Sequence, residues 1–182
     1  VLSFARFMEL ALYCPDFGYY EREETAIGRG GDFYTSVSTG RLFGELLAFQ
    51  FASCLEEIPS GMIQLVEAGA HDGQLANDIL VWLQEYRPTV FDRLEYWLVE
   101  PSHRRQEWQR RKLDGFAGRI RWTETLRALP AGGITGILFS NELLDAFPVH
   151  RIAWDARAQQ WFEWGVRLSD DAFVWHRMPN SG

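Results

Sequence analysis

Cysteine is nearly missing from this 182-residue chain: it has two, Cys14 and Cys54, well separated and in no metal-ligand spacing. That excludes a disulfide framework and a Cys-rich zinc site, and two reduced thiols fit a cytosol-like compartment. No metal is expected. Long hydrophobic runs are missing too. No stretch approaches the roughly 20 apolar residues of a bilayer-spanning helix, and no signal-peptide pattern opens the chain, so no membrane partner is expected. Basic charge is scarce, with 18 Lys and Arg against 25 Asp and Glu and a net charge of −7. Without a long basic run, a nucleic-acid partner is not expected. The one basic cluster, Arg104, Arg105, Arg110, Arg111 and Lys112, reads as the solvated face of a helix rather than a phosphate track. Internal repeats and low-complexity segments are absent. The first residue is Val1, which leaves a preceding segment open.

What the chain does have is a globular composition, 47% apolar and 15% aromatic. Its length fits one domain, or one domain with an appendage. It is organised around Gln64-Leu-Val-Glu67-Ala-Gly69-Ala-His71-Asp-Gly73-Gln-Leu75. An apolar run ends in a carboxylate, small residues and glycines follow, and a helical pattern begins. This is the strand–turn–helix start of a nucleotide-binding unit. Gly69 and Gly73 can adopt strained dihedrals and let a ligand approach bare backbone.

Before that unit, Ser3 caps a helix expected over Phe4–Tyr13, with an apolar stripe at Phe4, Phe7, Met8, Ala11 and Leu12. Residues 21–31 read as a polar loop. Gly31-Asp-Phe-Tyr-Thr-Ser36, taken alone, is a turn followed by a helix cap. A second helix is expected from Arg41 to about Ile58, with Leu42, Leu46, Phe49 and Ala52 facing the core. Within the unit, strands are expected at 62–66, 95–100, 118–122 and 136–142, with helices at 75–86 and 103–113. Beyond it, 149–154, 160–168 and 172–176 alternate as an antiparallel meander. The expected division is a helical segment over 1–60, a Rossmann-like core over 61–148 and a β-meander insertion over 149–182. The fold class is α/β, with a parallel sheet that looks incomplete at its C-terminal end.

Polar groups arrive at three strand tips: Glu67, Glu100 and Asn141 with Glu142. In open α/β sheets, ligands bind at those ends. The dinucleotide fingerprint fails, since His71 and Gln74 stand where it needs glycine, and no phosphate loop occurs. That argues against a nicotinamide-dependent oxidoreductase. Glu67 beside the turn repels a pyrophosphate and suits an ammonium or sulfonium. Glu100 suits ribose hydroxyls. A cationic, phosphate-free adenosine ligand is S-adenosylmethionine.

Glu67-Ala-Gly69-Ala-His71-Asp-Gly73 resembles the E/D-x-G-x-G-x-G signature of the seven-strand, class I S-adenosylmethionine-dependent methyltransferases. More narrowly, the chain resembles the MidA-like family, relatives of the mitochondrial arginine methyltransferase of complex I assembly. The likeness lies in Phe4–Tyr20, in Gly31–Ser36 with Phe43-Gly-Glu45, in Val99–Ser102 with Gln109, and in Asn141–Pro148. The resemblance implies a cofactor site of Glu67, Gly69 and Gly73 in the loop, Glu100 at the ribose and Glu124 at the adenine amino group. It implies that Gly31, Asp32, Phe33 and Thr35 fold over the methionine end. Asn141 and Glu142 are implied as catalytic residues beside the transferring methyl group, where an arginine side chain of a protein substrate would dock. It further implies methylation in the bacterial cytoplasm, or in the mitochondrial matrix for a eukaryotic chain. The oligomeric state is left open.

The chain departs from the family in three places. His71 replaces the signature's middle glycine, and its side chain either crowds the cofactor, stacks near it or points to solvent. Arg105 replaces an apolar helix residue. The chain ends inside or just after the β insertion, so it is expected to be the N-terminal half of a longer protein. A non-catalytic S-adenosylmethionine-binding assembly factor, or an inactive methyltransferase fragment, is the alternative reading.

Overall fold

The computed structural model describes residues 1–21 and 40–178. In chain order the elements are β1 (Leu2–Ser3), α1 (Phe4–Tyr13), α2 (Leu42–Glu56), β2 (Ile63–Ala68), α3 (Gln74–Tyr86), α4 (Pro88–Arg93), β3 (Leu94–Val99), α5 (His103–Lys112), β4 (Ile120–Thr123), β5 (Gly136–Ser140), β6 (Arg151–Asp155), β7 (Gln160–Ser169) and β8 (Ala172–Met178). They group into two compact units, Val1–Thr25 with Leu144–Gly182, and Ala26–Leu143. This grouping cuts across a three-segment division at 60 and 148: α1 joins the meander, and α2 joins the parallel sheet.

In the first unit, β6, β7 and β8 form the antiparallel meander, and β1 pairs with β7 at Leu2↔Val166 and Ser3↔Gly165. The Ser3 hydroxyl accepts from the Arg6 N–H at 3.2 Å and starts α1 where the sequence places it. The aromatic stripe of α1 meets the sheet, with Phe4 5.2 Å from Trp175 and Phe7 5.0 Å from Phe173 between ring centroids. The Tyr13 hydroxyl donates to the Ala146 carbonyl at 2.8 Å.

The second unit holds an all-parallel sheet in the order β4–β3–β2–β5. β2 is covered on both faces, which explains its continuous apolar run. Ile63 and Leu65 join Leu75, Ile79, Leu83, Leu94, Tyr96 and Leu98 in the main core. Val66, Ala68 and Val99 pack on the opposite face, against Trp97, Leu129, Ile134 and Leu143. The α/β class expected from the sequence is therefore present, as one parallel and one antiparallel sheet.

One expectation fails at α2. Leu42, Leu46 and Phe49 are 67%, 59% and 52% exposed, while Gly44, Ala48, Phe51, Ala52 and Leu55 are buried. The helix is apolar nearly all round, so hydrophobic spacing selects no unique face. The small residues decide instead, because they let α2 approach α3 closely. A Cβ on Gly44 would come within 2.6 Å of the Asp78 Cβ. Gly44→Ala should therefore force the helices apart and lower the unfolding free energy by about 2 kcal/mol. Chemical denaturation measures this, and an unchanged midpoint would contradict the close crossing. Pro88 does more than break the preceding pattern. It sits in the first turn of α4, where its missing N–H costs nothing.

Candidate functional site

The loop between β2 and α3 is built from backbone conformation. Gly69, His71 and Gly73 all have positive φ, at +76°, +48° and +85°. These are the three glycine positions of the signature, so each glycine there answers a left-handed requirement. Histidine is among the side chains that tolerate this region, which explains how His71 fits without remodelling the turn. The Gly69 N–H donates to the Val99 carbonyl at 3.2 Å, and the Gly73 N–H to the Ala70 carbonyl at 2.8 Å. A Cβ on Gly69 would lie 2.6 Å from the Leu143 Cδ1, so the loop and the residues after β5 approach closely.

Two carboxylates follow in this loop region. Asp72 accepts from the Gln74 N–H at 3.0 Å just before α3, whose N-cap is Gly73, with the Lys112 Nζ 3.3 Å away. Burial raises its pKa, but the bonds from His71 and the Gln74 amide, with the charge of Lys112, outweigh this and bring it down to about 2. Glu67 is the opposite case. It is 2% exposed at the end of β2 and accepts from the Tyr96 hydroxyl at 2.7 Å. Burial pushes its pKa up to about 7, against the lowering effect of the Tyr96 bond, and the nearby charge of Asp72 adds to the rise. Tyr96 is itself raised well above its usual range by burial and by Glu67, so it stays a neutral donor. Among the described residues, no cationic side chain pairs with Glu67. A buried carboxylate with one neutral partner is a donor set suited to a cationic ligand.

The second carboxylate tip is Glu100, just past β3 and 1% exposed. Its Oε1 accepts from the Ser102 N–H at 2.9 Å and lies 3.0 Å from the Arg105 guanidinium. The Ser102 hydroxyl accepts from the Arg105 N–H at 3.3 Å and caps α5. The face that α5 buries is polar: Arg105, Gln106 and Gln109. Gln106 donates to the Glu100 carbonyl at 2.8 Å. Gln109 donates to the His71 carbonyl at 2.9 Å and accepts from the Trp122 indole N–H at 3.0 Å. One buried amide thus ties the glycine loop to α5 and β4. The reading of this helix as a basic solvated face is corrected at Arg105, which is buried against Glu100.

The other expected residues are placed less centrally. Asn141 is half-buried and Glu142 is exposed just beyond β5, with Glu142 held at a φ of +49°. Left-handed backbone in a non-glycine residue is a local strain of the kind that collects at functional sites. Glu124 is exposed after β4, and its Oε1 lies 3.6 Å from the His103 Nε2. His71 presents its ring to Trp108, with centroids 6.3 Å apart, and among the described residues its buried Nε2 has no hydrogen-bond partner. Gly31, Asp32, Phe33 and Thr35 lie outside the described residues. The sheet brings Glu67, Gly69, Gly73 and Glu100 together at neighbouring strand tips. Sequence reasoning missed Tyr96 and Arg105 as partners of these carboxylates. Tyr96 is hidden inside an apolar strand, but its pairing with Leu65 places it one step diagonally from Glu67.

Comparison with known proteins shows the family. A family model described as S-adenosyl-L-methionine-dependent methyltransferase matches residues 46–182. The mitochondrial protein arginine methyltransferase NDUFAF7 of Danio rerio is 29% identical over 174 residues, covering 82% of this chain and 40% of that protein. The Homo sapiens protein of the same name is 30% identical, covering 82% and 38%. The chain thus spans about 40% of the length of the curated relatives it matches. Among solved structures, a Burkholderia thailandensis protein bound to S-adenosyl-homocysteine superposes with a TM-score of 0.78 at 35% identity. The match covers 100% of this chain and 46% of that one.

Proposed function

The chain belongs to the S-adenosyl-L-methionine-dependent methyltransferase family, and on that premise we propose that it forms the cofactor-binding part of a methyltransferase acting on arginine side chains of a protein substrate. The observation that carries the reading is the pair of buried carboxylates, Glu67 and Glu100, at adjacent strand tips around a loop with three left-handed residues. A turn flanked by Glu67 and Asp72 repels phosphate and favours a cation, which fits a sulfonium and an ammonium.

When bound, the cofactor supplies an electrophilic methyl group already carrying positive charge. The protein's part is then position and field. In this reading Glu67 holds the cationic end of the ligand, while Gly69 and Gly73 keep the backbone bare beneath it. Glu100 accepts from the ribose hydroxyls, and Glu124, now beside His103, is assigned to the adenine amino group. Gly31, Asp32, Phe33 and Thr35 are assigned to the methionine end. Asn141 and Glu142 orient the acceptor guanidinium, since a carboxylate engages that group in paired bonds and leaves one nitrogen as the nucleophile. The arginine acceptor is suggested by the NDUFAF7 relatives, which carry that activity in their names. Those relatives are mitochondrial, and the proposed location is the mitochondrial matrix or, for a bacterial protein, the cytoplasm. Among the described residues, no helix is long and apolar enough to cross a membrane.

Binding is the test, because the chain spans less than half of its relatives. Isothermal titration with S-adenosylhomocysteine should show saturable binding, weakened by roughly tenfold or more in Glu100→Ala through loss of hydrogen bonds to a charged acceptor. Equal affinity in the two proteins would remove the ribose assignment. No binding by the wild type would remove the cofactor assignment as a whole.

A further inference from the structure

We propose that Arg105 is a positioning residue for the cofactor ribose, acting through Glu100. The inference rests on the assignment of Glu100 to the ribose. It starts from a contact that the amino-acid pattern hides. Arg105 lies in a run of basic residues, yet its side chain is only 10% exposed and meets a Glu100 side chain that is 2% exposed, at 3.0 Å. Its neighbours Arg110, Arg111 and Lys112 lie in the last turn of α5, where cations suit the helix terminus. Arg105 sits in the first turn, where the helix dipole disfavours a cation. Its placement therefore answers to Glu100 rather than to the helix.

A stability role explains this arrangement poorly. Burying an ion pair costs both partners their hydration, and an apolar pair of similar size is often as stable or more so. What the pair does provide is geometry. The Arg105 guanidinium and the Ser102 N–H converge on the same oxygen, Oε1 of Glu100. Arg105 is itself fixed, since its backbone N–H is held by the Ser102 hydroxyl. With the Gln109 Nε2 3.5 Å from the other oxygen, Oε2, donors at both ends hold the carboxylate in one orientation. Glu67 makes the contrast on the neighbouring strand: its partner Tyr96 is neutral, which suits a carboxylate meant to receive a cation. Glu100 carries its own countercharge, which suits a carboxylate meant to receive neutral hydroxyl donors. A ribose diol adds no charge, so the acceptor must be balanced beforehand.

The experiment compares S-adenosylhomocysteine with its 2′,3′-dideoxy analogue, which lacks both ribose hydroxyls, by isothermal titration on the full chain. The proteins are wild type, Arg105→Leu, Arg105→Lys, Glu100→Gln and the Arg105→Leu/Glu100→Gln double variant, each checked for folding by circular dichroism. Wild type should prefer the natural ribose by about 150-fold or more, as two hydrogen bonds to a charged acceptor require. Arg105→Leu should cut that preference to about threefold while leaving affinity for the analogue within about twofold. Arg105→Lys, which keeps the charge without the planar fork, should fall between. In the Glu100→Gln background, Arg105→Leu should change the preference no further. If Arg105→Leu weakens both ligands equally, or if its effect persists without the Glu100 carboxylate, the positioning role is overturned. Should Arg105→Leu not fold, an unchanged preference in Arg105→Lys overturns it equally. Wild type that binds both ligands equally overturns the ribose assignment beneath it.

Discussion

Lowering the pH from about 7.5 to about 5.5 should weaken S-adenosylhomocysteine binding roughly twentyfold, and Glu67→Gln should abolish that dependence. The cause is the burial that pushes the Glu67 pKa up to about 7. A ligand ammonium beside this carboxylate requires it ionised. Above about pH 7 the site is ready, and affinity is level. Below it, each binding event must expel a proton, and affinity falls nearly tenfold per pH unit. The groups facing Glu67 do not blur this window. Tyr96 stays protonated throughout, and Asp72, brought down to about 2, stays ionised. Glu67→Gln should bind weakly at every pH, since a hydrogen-bonded amide replaces a charge, with a loss of at least about tenfold at pH 7.5. Titration calorimetry across the range decides. A slope that survives in Glu67→Gln would assign it to another group.

The same carboxylate carries a stability signature of opposite sense. Its folded pKa is raised, so the stability it contributes is fully present below about 4.5 and is lost as pH rises through about 7. The shift corresponds to roughly 3 kcal/mol. Without ligand, wild type should lose stability relative to Glu67→Gln across that window. Ligand should restore it at high pH. A site that destabilises its own empty form as it becomes competent to bind is consistent with selection for a cation rather than for packing.

How far the sequence reveals this site depends on what kind of signal each residue leaves. Glu67, Gly69 and Gly73 stand out because an apolar run ending in acid and glycine has few structural meanings. Helix α1 stands out because Ser3 and a clean stripe mark its start and face. The meander stands out because its strands alternate. Helix α2 misleads for a physical reason: apolar residues surround it, and close packing follows Gly44, Ala48 and Ala52 rather than hydrophobicity. Helix α5 misleads in the opposite sense. Its buried face is made of Arg105, Gln106 and Gln109, whose partners are strand-tip and loop atoms distant in sequence. His71 looked like the misfit of the loop, yet its φ of +48° shows what the position demands. The demand is a left-handed residue, for which glycine is the usual but not the sole answer. No periodicity reports a backbone angle, so this could be read only from the fold.

Breaking the buried pair at the second strand tip should cost more stability than removing it. Arg105→Leu or Glu100→Gln alone is expected to lower the unfolding free energy by about 3 kcal/mol, because each leaves an uncompensated group out of water. The double variant should lose much less than the sum, about 1–2 kcal/mol, since leucine and glutamine leave no stranded charge and the Ser102 N–H still meets an oxygen at residue 100. Denaturant melts of the four proteins close the cycle, and additive losses would mean that the two charges do not interact in the folded chain. The comparison also separates two roles of Arg105. If the double variant stays within about 1–2 kcal/mol of wild type, while Arg105→Leu alone has lost its preference for the natural ribose, the ion pair is kept for the ligand. A double variant with wild-type preference would instead make the pair a structural feature of α5, with Glu100 free to be replaced.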